Sequence, residues 1–570
     1  VKATGDEEAD PVEIGGRPSS GHGGTGVTKT AIIGLDGATF RLLEPLFEDG
    51  AMPALAALRA RGVSGVLSST TPAYTPPAWV SMLTGVNPGR HNVYGFLSTT
   101  PQEEVKIAHS GTIAATPIWR FANDRETSIG VYNVPMTYPP AEVANGFMVS
   151  GGLAAGWTSP DVEGFASDPE IARIVAQVSE GAYPIDTVVS YENDWSRPEI
   201  IDEVERIQRM RRKVLNALLE HRDVEFLFSV FEGPDRLQHL HYQYFVESSD
   251  WYQRPEAAGY RERAWRYFEE LDGAIGDLVA WVGGDGNVLV VSDHGAGPWE
   301  KTVNVNLLLQ EWGFLRLPAV SRLTRMGVVA GPIQAAARKV LPRSLLLSAK
   351  SRINRGIEWD ATRAFAAQVA EQGIHVNERG ALPFGIVDPE AVPAIEAELT
   401  ERLLAFVDPA DGQPVVDRVV RREEAAQGPY APRAPHLFPV CRGQRYELSD
   451  TLAATAPLTD HRDRPWGYHH QDGILIAAGP AFVTGALPRA LDIVDILPTA
   501  FRAARLEVPE GLDGAVPEEI FASTTGTVRG VSGEVGHTDE PGQPDGGAYP
   551  FSEEDEKQIE ESLRGLGYIE

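Results

Sequence analysis

The sequence predicts an α/β protein, a mostly parallel sheet sandwiched by helices with inserted cap regions. Three observations predict it. Four short apolar runs share one form and lie beside acidic or histidine residues: 30–36, 225–231, 287–292 and 473–478. Helical stretches, 200–221 and 260–282 among them, separate the runs. Strands alternating with helices argue for a parallel sheet covered on both faces. Such sheets bind ligands at the carboxyl ends of their strands, and two of the polar clusters fall at that edge.

In chain order, residues 1–28 are polar, acidic and glycine-rich and read as a disordered lead. The run from Thr30 to Asp36 is a buried strand ending in a carboxylate, with Gly37 behind it. Arg41 to Arg61 has helical spacing, broken at Gly50 and Pro53. The main domain is expected over 29–523. Segments of about 97–195 and 300–460 carry few strand signals and read as insertions or caps. Inside the second, 312–357 holds nine Lys and Arg residues and no acid. Its ordinary reading is a solvated face. The sharper reading is a guide for an anionic substrate, or a membrane-surface contact with Leu345, Leu346 and Leu347 as its apolar face. Residues 524–547 read as a glycine-rich linker. The end of the chain, 548–570, carries a short helix over 552–566 with Ser552 as N-cap and acids behind it.

Composition narrows the partners. The 570 residues carry a formal net charge of −30, which repels nucleic acid at long range. No run of about eighteen apolar residues marks a transmembrane helix, and the first residues lack a signal-peptide pattern. The start at Val1 leaves processing open, and a cytoplasmic location is the expectation. Cys441 is the one cysteine, so an intrachain disulfide and a cysteine metal cluster are both excluded.

The residues that carry chemistry are Asp36, Asp235, His239, Asp293, His294 and His469. Mixed carboxylate and imidazole donors suit zinc, or manganese and iron, rather than calcium. Asp235 and His239 are four apart, which brings both to one side of a helical turn. Asp293 and His294 are adjacent at a strand end, where a sharp turn at Gly295 would aim both at one site. Singly each has an ordinary role, as a turn residue or a satisfied imidazole; the set is far more specific. A nucleophile candidate lies in Thr75-Pro76-Pro77. The prolines suit a first helical turn, which makes Thr75 an N-cap near unpaired N–H groups and the positive helix end.

These segments resemble the type I phosphodiesterase/nucleotide pyrophosphatase branch of the alkaline phosphatase superfamily. The matching pieces are Gly34-Leu-Asp36-Gly, Thr75-Pro-Pro through Thr84-Gly-Val-Asn-Pro-Gly-Arg-His91, Glu232-Gly-Pro-Asp235-Arg-Leu-Gln-His239, Ser292-Asp293-His294-Gly and Gly467-Tyr-His469-His-Gln-Asp-Gly473. They occur in the family's order over roughly residues 30–515. Val134-Pro-Met-Thr-Tyr-Pro-Pro140, Ile374-His-Val-Asn377 and Leu566-Gly-Tyr-Ile569 are similar to a prokaryotic group of predicted phosphohydrolases or phosphomutases.

The resemblance implies an alkaline-phosphatase-like fold and two divalent metal ions, zinc by preference, with manganese or iron as alternatives. One ion would be held by Asp235, His239 and His469, the other by Asp36, Asp293, His294 and the Thr75 oxygen. His469 is taken over its neighbour His470 on the family's G-x-H-x-x-D-G pattern. Thr75 would attack phosphorus and form a phosphothreonine, with metal-assisted ionisation of its hydroxyl. The N–H groups after Thr75 are candidates to steady the equatorial oxygens. The expected substrate is small and phosphorylated, a phosphodiester or a nucleotide pyrophosphate. Phosphomutase or phosphomonoesterase chemistry is the alternative, and a metal-stabilised scaffold the alternative of another class. Loss of a ligand or nucleophile would favour the scaffold, and none is seen.

Two positions depart from the pattern. The family's Asn three residues after the nucleophile is Ala78 here, followed by Trp79, and an Asp of the group is replaced by His436. A sulfatase is discounted because Cys441-Arg-Gly lacks the formylglycine context. Thr75 argues against a serine-dependent phosphoglycerate mutase, and a headgroup transferase normally carries membrane helices.

Overall fold

A computed structural model describes residues 27–99, 105–152, 158–159, 162–184, 190, 194–318, 357–367, 372–382, 384–522 and 550–565. Nearly all of the expected 1–28 lead, most of the basic 312–357 stretch and the 524–547 linker lie outside the described residues.

The strands that build the site are, in chain order, β1 (Thr30–Leu35), β2 (Val63–Ser68), β3 (Ile129–Val134), β4 (Phe147–Ser150), β5 (Phe226–Phe231), β6 (Asn287–Val291), β7 (Gly295–Pro298), β8 (Gly467–His470) and β9 (Asp472–Ala478). A nine-stranded sheet carries β2-β9-β6-β1-β5-β3-β4 in that order, extended beyond β2 by the short strands Gly485–Ala486 and Leu491–Asp492. The pairs β6-β1, β1-β5, β5-β3 and β3-β4 are parallel, while β9 runs antiparallel between β6 and β2. The predicted mostly parallel sheet flanked by helices is the observed architecture.

Alternation along β1 explains why both faces are covered. Ala31, Ile33 and Leu35 join one apolar layer, and Ile32 joins the other. The first layer is completed by α3 (Glu199–His221) and α5 (Ala257–Val282), the second by α2 (Thr75–Thr84) and the helix Ile496–Ala503. The broken helical stretch after β1 becomes α1 (Phe40–Glu48) and a second helix, Pro53–Arg61, as Gly50 and Pro53 predict. α4 (Gly233–Phe245) follows β5.

The supposed insertion at 97–195 is corrected in part, because β3 and β4 belong to the central sheet. Gly130 and Asn133 interrupt the apolar run of β3, and β4 has only four residues, so neither gave a strong strand pattern. Asn133 also takes a positive φ of 56°. Between 300 and 460 the chain builds a separate five-stranded sheet, Val416–Arg421, Leu437–Cys441, Tyr446–Ser449, Lys301–Asn304 and Leu458–Asp460, over its own apolar cluster. His436 is buried in this region and accepts from the Val376 N–H at 3.1 Å, a strut between two of its segments.

The last helix spans Glu553–Gly565. Ser552 caps it reciprocally with Asp555, the two bonds measuring 2.9 and 3.2 Å. Phe551, Ile559 and Leu563 reach the main core, with Phe551 stacked on Tyr138. Among the described residues no helix is long and apolar enough to cross a membrane.

Candidate active site

Sheet direction assembles the site. β1, β5 and β6 point the same way, so Asp36, Glu232 and Asp293 leave the sheet at one edge. β9 runs the other way, so the residues just before it, His469 included, arrive at that same edge. β2 is paired to β9 with Ser68 opposite Asp472, which delivers Thr75 there a few residues later.

The turn after Asp293 differs from expectation. Gly295 does not use a left-handed conformation; it opens β7, which pairs with β8 and sets Ala296 opposite His469. A side chain at Gly295 would run into the Asp472 carbonyl, so glycine is needed for close approach. Pairing brings the His294 and His469 rings to 3.8 Å between centroids. Gly37 is the position that needs positive φ, 67°, and its N–H donates to Asp293 Oδ1 at 3.1 Å.

Thr75 is the first helical residue, and Tyr74 is the N-cap. Pro76 and Pro77 have no N–H, and that of Ala78 donates to the Tyr74 carbonyl at 3.1 Å. The N–H groups following Thr75 therefore cannot hold a phosphate, which corrects that expectation. Thr75 Oγ1 instead lies 3.2 Å from His294 Nε2. Ala78 is buried in the apolar layer under the sheet.

All the predicted ligands converge. His239 Nε2 is 3.1 Å from Asp235 Oδ1 and 3.0 Å from His469 Nε2, and His469 Nε2 is 3.7 Å from Asp235 Oδ1. His294 Nε2 is 3.3 Å from Asp293 Oδ2 and 3.7 Å from Asp36 Oδ1. Donor atoms of Asp235, His294 and His469, and of Asp36, Asp293 and His294, also form compact groups, so His294 lies between the two halves of the cluster. His470 lies on the other strand face and pairs with Asp472 at 3.9 Å.

Each imidazole is set by its other nitrogen. The Nδ1 atoms of His239, His294 and His469 face the carbonyls of Gly467, Gly295 and Ala73 at 3.2, 3.0 and 3.1 Å. A carbonyl only accepts, so Nδ1 carries the proton and the Nε2 lone pair points into the cluster. Each carboxylate has one oxygen tied. Trp79 Nε1–H donates to Asp36 Oδ2 at 3.0 Å, Arg236 Nη1–H to Asp235 Oδ2 at 2.8 Å, and Gly37 N–H to Asp293 Oδ1. Asp36 Oδ1 and Asp293 Oδ2 are buried without a protein hydrogen bond.

Lone pairs facing lone pairs at about 3 Å repel one another unless positive charge lies among them. The electrostatics agree. Burial, then the Asp293 and Asp235 charges, push the Asp36 carboxyl well above the usual range. Burial and Asp235 push Asp293 up as well. Burial opposes ionisation of Asp235 too, but a proton on His239 Nε2, in the position a cation would take, and the Arg236 guanidinium outweigh it and hold that carboxyl below the usual range. Burial and the neighbouring His294 and His239 push His469 down, toward the neutral form that binds metal. This donor set fits divalent cations of the zinc, manganese or iron type.

Several supporting residues carried no separable signal in the sequence. Trp79 and Arg236 stand beside predicted site residues, yet only the fold shows which carboxylate each one ties. Behind the site, Arg211 of α3 pairs with Glu232, which also accepts from Asn133 Nδ2 at 2.8 Å. Glu232 immediately precedes α4, so the pair seats the helix carrying Asp235 and His239. Arg211→Leu is expected to cost about 3–5 kcal/mol, because it leaves a buried carboxylate unpaired. Urea unfolding checks this, and an unchanged midpoint contradicts it.

The fold and this edge-of-sheet cluster suit a phosphoric ester hydrolase, the class that the family comparison gives. The family model described as type I phosphodiesterase / nucleotide pyrophosphatase matches residues 30–451, and the chain belongs to that family. A variant of the alkaline phosphatase PafA is similar in structure, with a TM-score of 0.51, 14% identity, and 87% of this chain and 99% of that chain covered. Phosphonoacetate hydrolase from Sinorhizobium meliloti 1021, in complex with phosphonoformate, has a TM-score of 0.48 at 19% identity, covering 84% and 95%. Murine ectonucleotide pyrophosphatase/phosphodiesterase 5, as an inactive variant in complex with AMP, has a TM-score of 0.46 at 12% identity, covering 87% and 100%. No curated protein matches the chain.

Proposed function

We propose that the chain is a two-metal phosphohydrolase that cleaves phosphodiesters or nucleotide pyrophosphates through a phosphothreonine at Thr75. The observation that carries this reading is the convergence of three imidazole Nε2 atoms, Asp36 Oδ1, Asp293 Oδ2, the Asp235 carboxylate and Thr75 Oγ1 at one buried edge of the sheet. Asp235, His239 and His469 would hold one ion, and Asp36, Asp293 and His294 the other, beside Thr75. Bound there, zinc or a similar cation would favour ionisation of the Thr75 hydroxyl and offset charge on the leaving oxygen.

The residues of the chain do the rest. Helix α2 holds Thr75 Oγ1 at the cluster, where it attacks phosphorus in line. The P–O bond to the leaving alcohol or nucleotide breaks, and phosphothreonine forms. Water then displaces the Thr75 oxygen and releases the phosphate product. The carbonyls behind His239, His294 and His469 keep the rings oriented through both steps.

Metal content, measured together with turnover of three chromogenic substrates, tests the reading. These are a nitrophenyl phosphate monoester, its phosphodiester analogue and a nucleotide pyrophosphate mimic. Two ions per chain, with the diester or pyrophosphate mimic cleaved fastest, is the expected result. A faster monoester overturns the substrate class, and a chain that binds no ion overturns the two-metal reading.

A further inference from the structure

We propose that Trp79 is a positioning residue. Its indole ties the helix that carries Thr75 to Asp36 and decides which Asp36 oxygen is offered to a cation. The proposal rests on the two-metal reading above and adds a residue to it.

Trp79 lies four residues after Thr75 on α2, one helical turn along the same side. Its Nε1–H donates to Asp36 Oδ2 at 3.0 Å. An indole N–H is a donor only, so it occupies Oδ2 as an acceptor and cannot itself compete for a cation. Oδ1 is left buried without a protein hydrogen bond, 3.7 Å from His294 Nε2. His294 Nε2 is in turn 3.2 Å from Thr75 Oγ1. Thr75, Trp79, Asp36 and His294 thus form a closed circuit, in which one side chain sets the nucleophile and a ligand relative to each other.

The indole is held to this geometry from below. It is fully buried, edge-on to Phe228 at 6.1 Å, and its six-membered ring lies against β1 at Gly34. A Cβ on Gly34 would meet Trp79 Cη2, come within 2.9 Å of Cζ3 and within 2.8 Å of Val230 Cγ2. Gly34 is two residues before Asp36, which follows directly on the end of β1. The glycine makes the seat and the aspartate receives the hydrogen bond. An ordinary core tryptophan needs neither a missing side chain beneath it nor an acceptor that is a candidate ligand.

The test uses the metal-replete full chain, Trp79→Phe, which keeps an aromatic ring and removes the donor, and Gly34→Ala, which keeps the donor and displaces it. Each protein is titrated against a chelating zinc dye, with circular dichroism as the check on folding. Removing a partner that orients a metal ligand typically weakens binding about 10–100-fold. Both variants are expected to release one of two zinc ions that much more readily, hold the other as the parent does, and regain turnover in Trp79→Phe at saturating zinc. If Trp79→Phe does not fold, Gly34→Ala carries the test. A variant that folds and keeps both ions at parental affinity overturns the proposal. Loss of both ions in parallel does so as well, because it marks a general packing defect. A parent that binds no zinc would instead overturn the two-metal reading itself.

Discussion

Thr75→Ala is expected to abolish phosphoester turnover, by on the order of 10⁴-fold or more, the scale of losing a covalent nucleophile. The effect is large because, among the described residues, no second hydroxyl takes its place beside His294. Thr75 Oγ1 is the hydroxyl found at the cluster, 3.2 Å from His294 Nε2, while Ser81 of the same helix bonds to His91 at 2.9 Å, away from it. The fold is expected to survive. Thr75 is not the helix cap, so its removal costs about 1 kcal/mol for the hydroxyl contact and no cap. Turnover measured beside a urea unfolding curve separates the two effects. Acid-quenched mass spectrometry of the parent during turnover is expected to show a phosphate adduct on the peptide holding Thr75, absent in the variant. Undiminished turnover in Thr75→Ala removes Thr75 as nucleophile.

Chelation is the second large effect. Stripping the chain with a strong chelator is expected to eliminate turnover and to lower stability by about 4 kcal/mol for each ion held at a thousand times its dissociation constant. The physical reason lies in the cluster itself. Asp36, Asp235 and Asp293 are buried together with three Nε2 atoms that all point inward, and without positive charge they repel. Calorimetry before and after chelation, then after adding zinc or manganese back, measures the change. Ion retention is also expected to fall as pH falls, because carboxylate and imidazole donors must give up protons to bind metal. A transition temperature and turnover that both ignore the chelator would contradict a resident metal.

Legibility followed locality. The strands 30–35, 226–231, 287–291 and 472–478 were readable within a residue or so because each is a continuous apolar run with a polar end. β3 and β4 were not, since Gly130, Asn133 and a length of four residues hide them in a stretch resembling an insertion. Thr75 was placed correctly at a helix start but one position off. Whether the chain turns into the helix at residue 74 or 75 depends on Tyr74 adopting extended backbone, and nothing local dictates that. The prolines behind it were read as helix openers, but they have no N–H and that of Ala78 is bonded to Tyr74, so the N–H groups after Thr75 do not take the phosphate-holding role assigned to them.

Sequence alone determined the fold class, the family and the set of candidate metal-binding side chains. Apolar periodicity and the chemistry of individual residues are local properties, and the motifs stand in one order along the chain. Tertiary structure decided how those side chains meet. The reversed direction of β9 brings His469 to the edge where Asp36 and Asp293 emerge, and turns His470 away. Packing against Gly34 aims Trp79 at one oxygen of Asp36, and a carbonyl behind each histidine chooses the nitrogen that faces the cluster. These are relations between residues as many as 396 positions apart, as for His469 and Ala73. They come into being only when the sheet closes, because a hydrogen bond is a matter of distance and angle that no residue carries by itself.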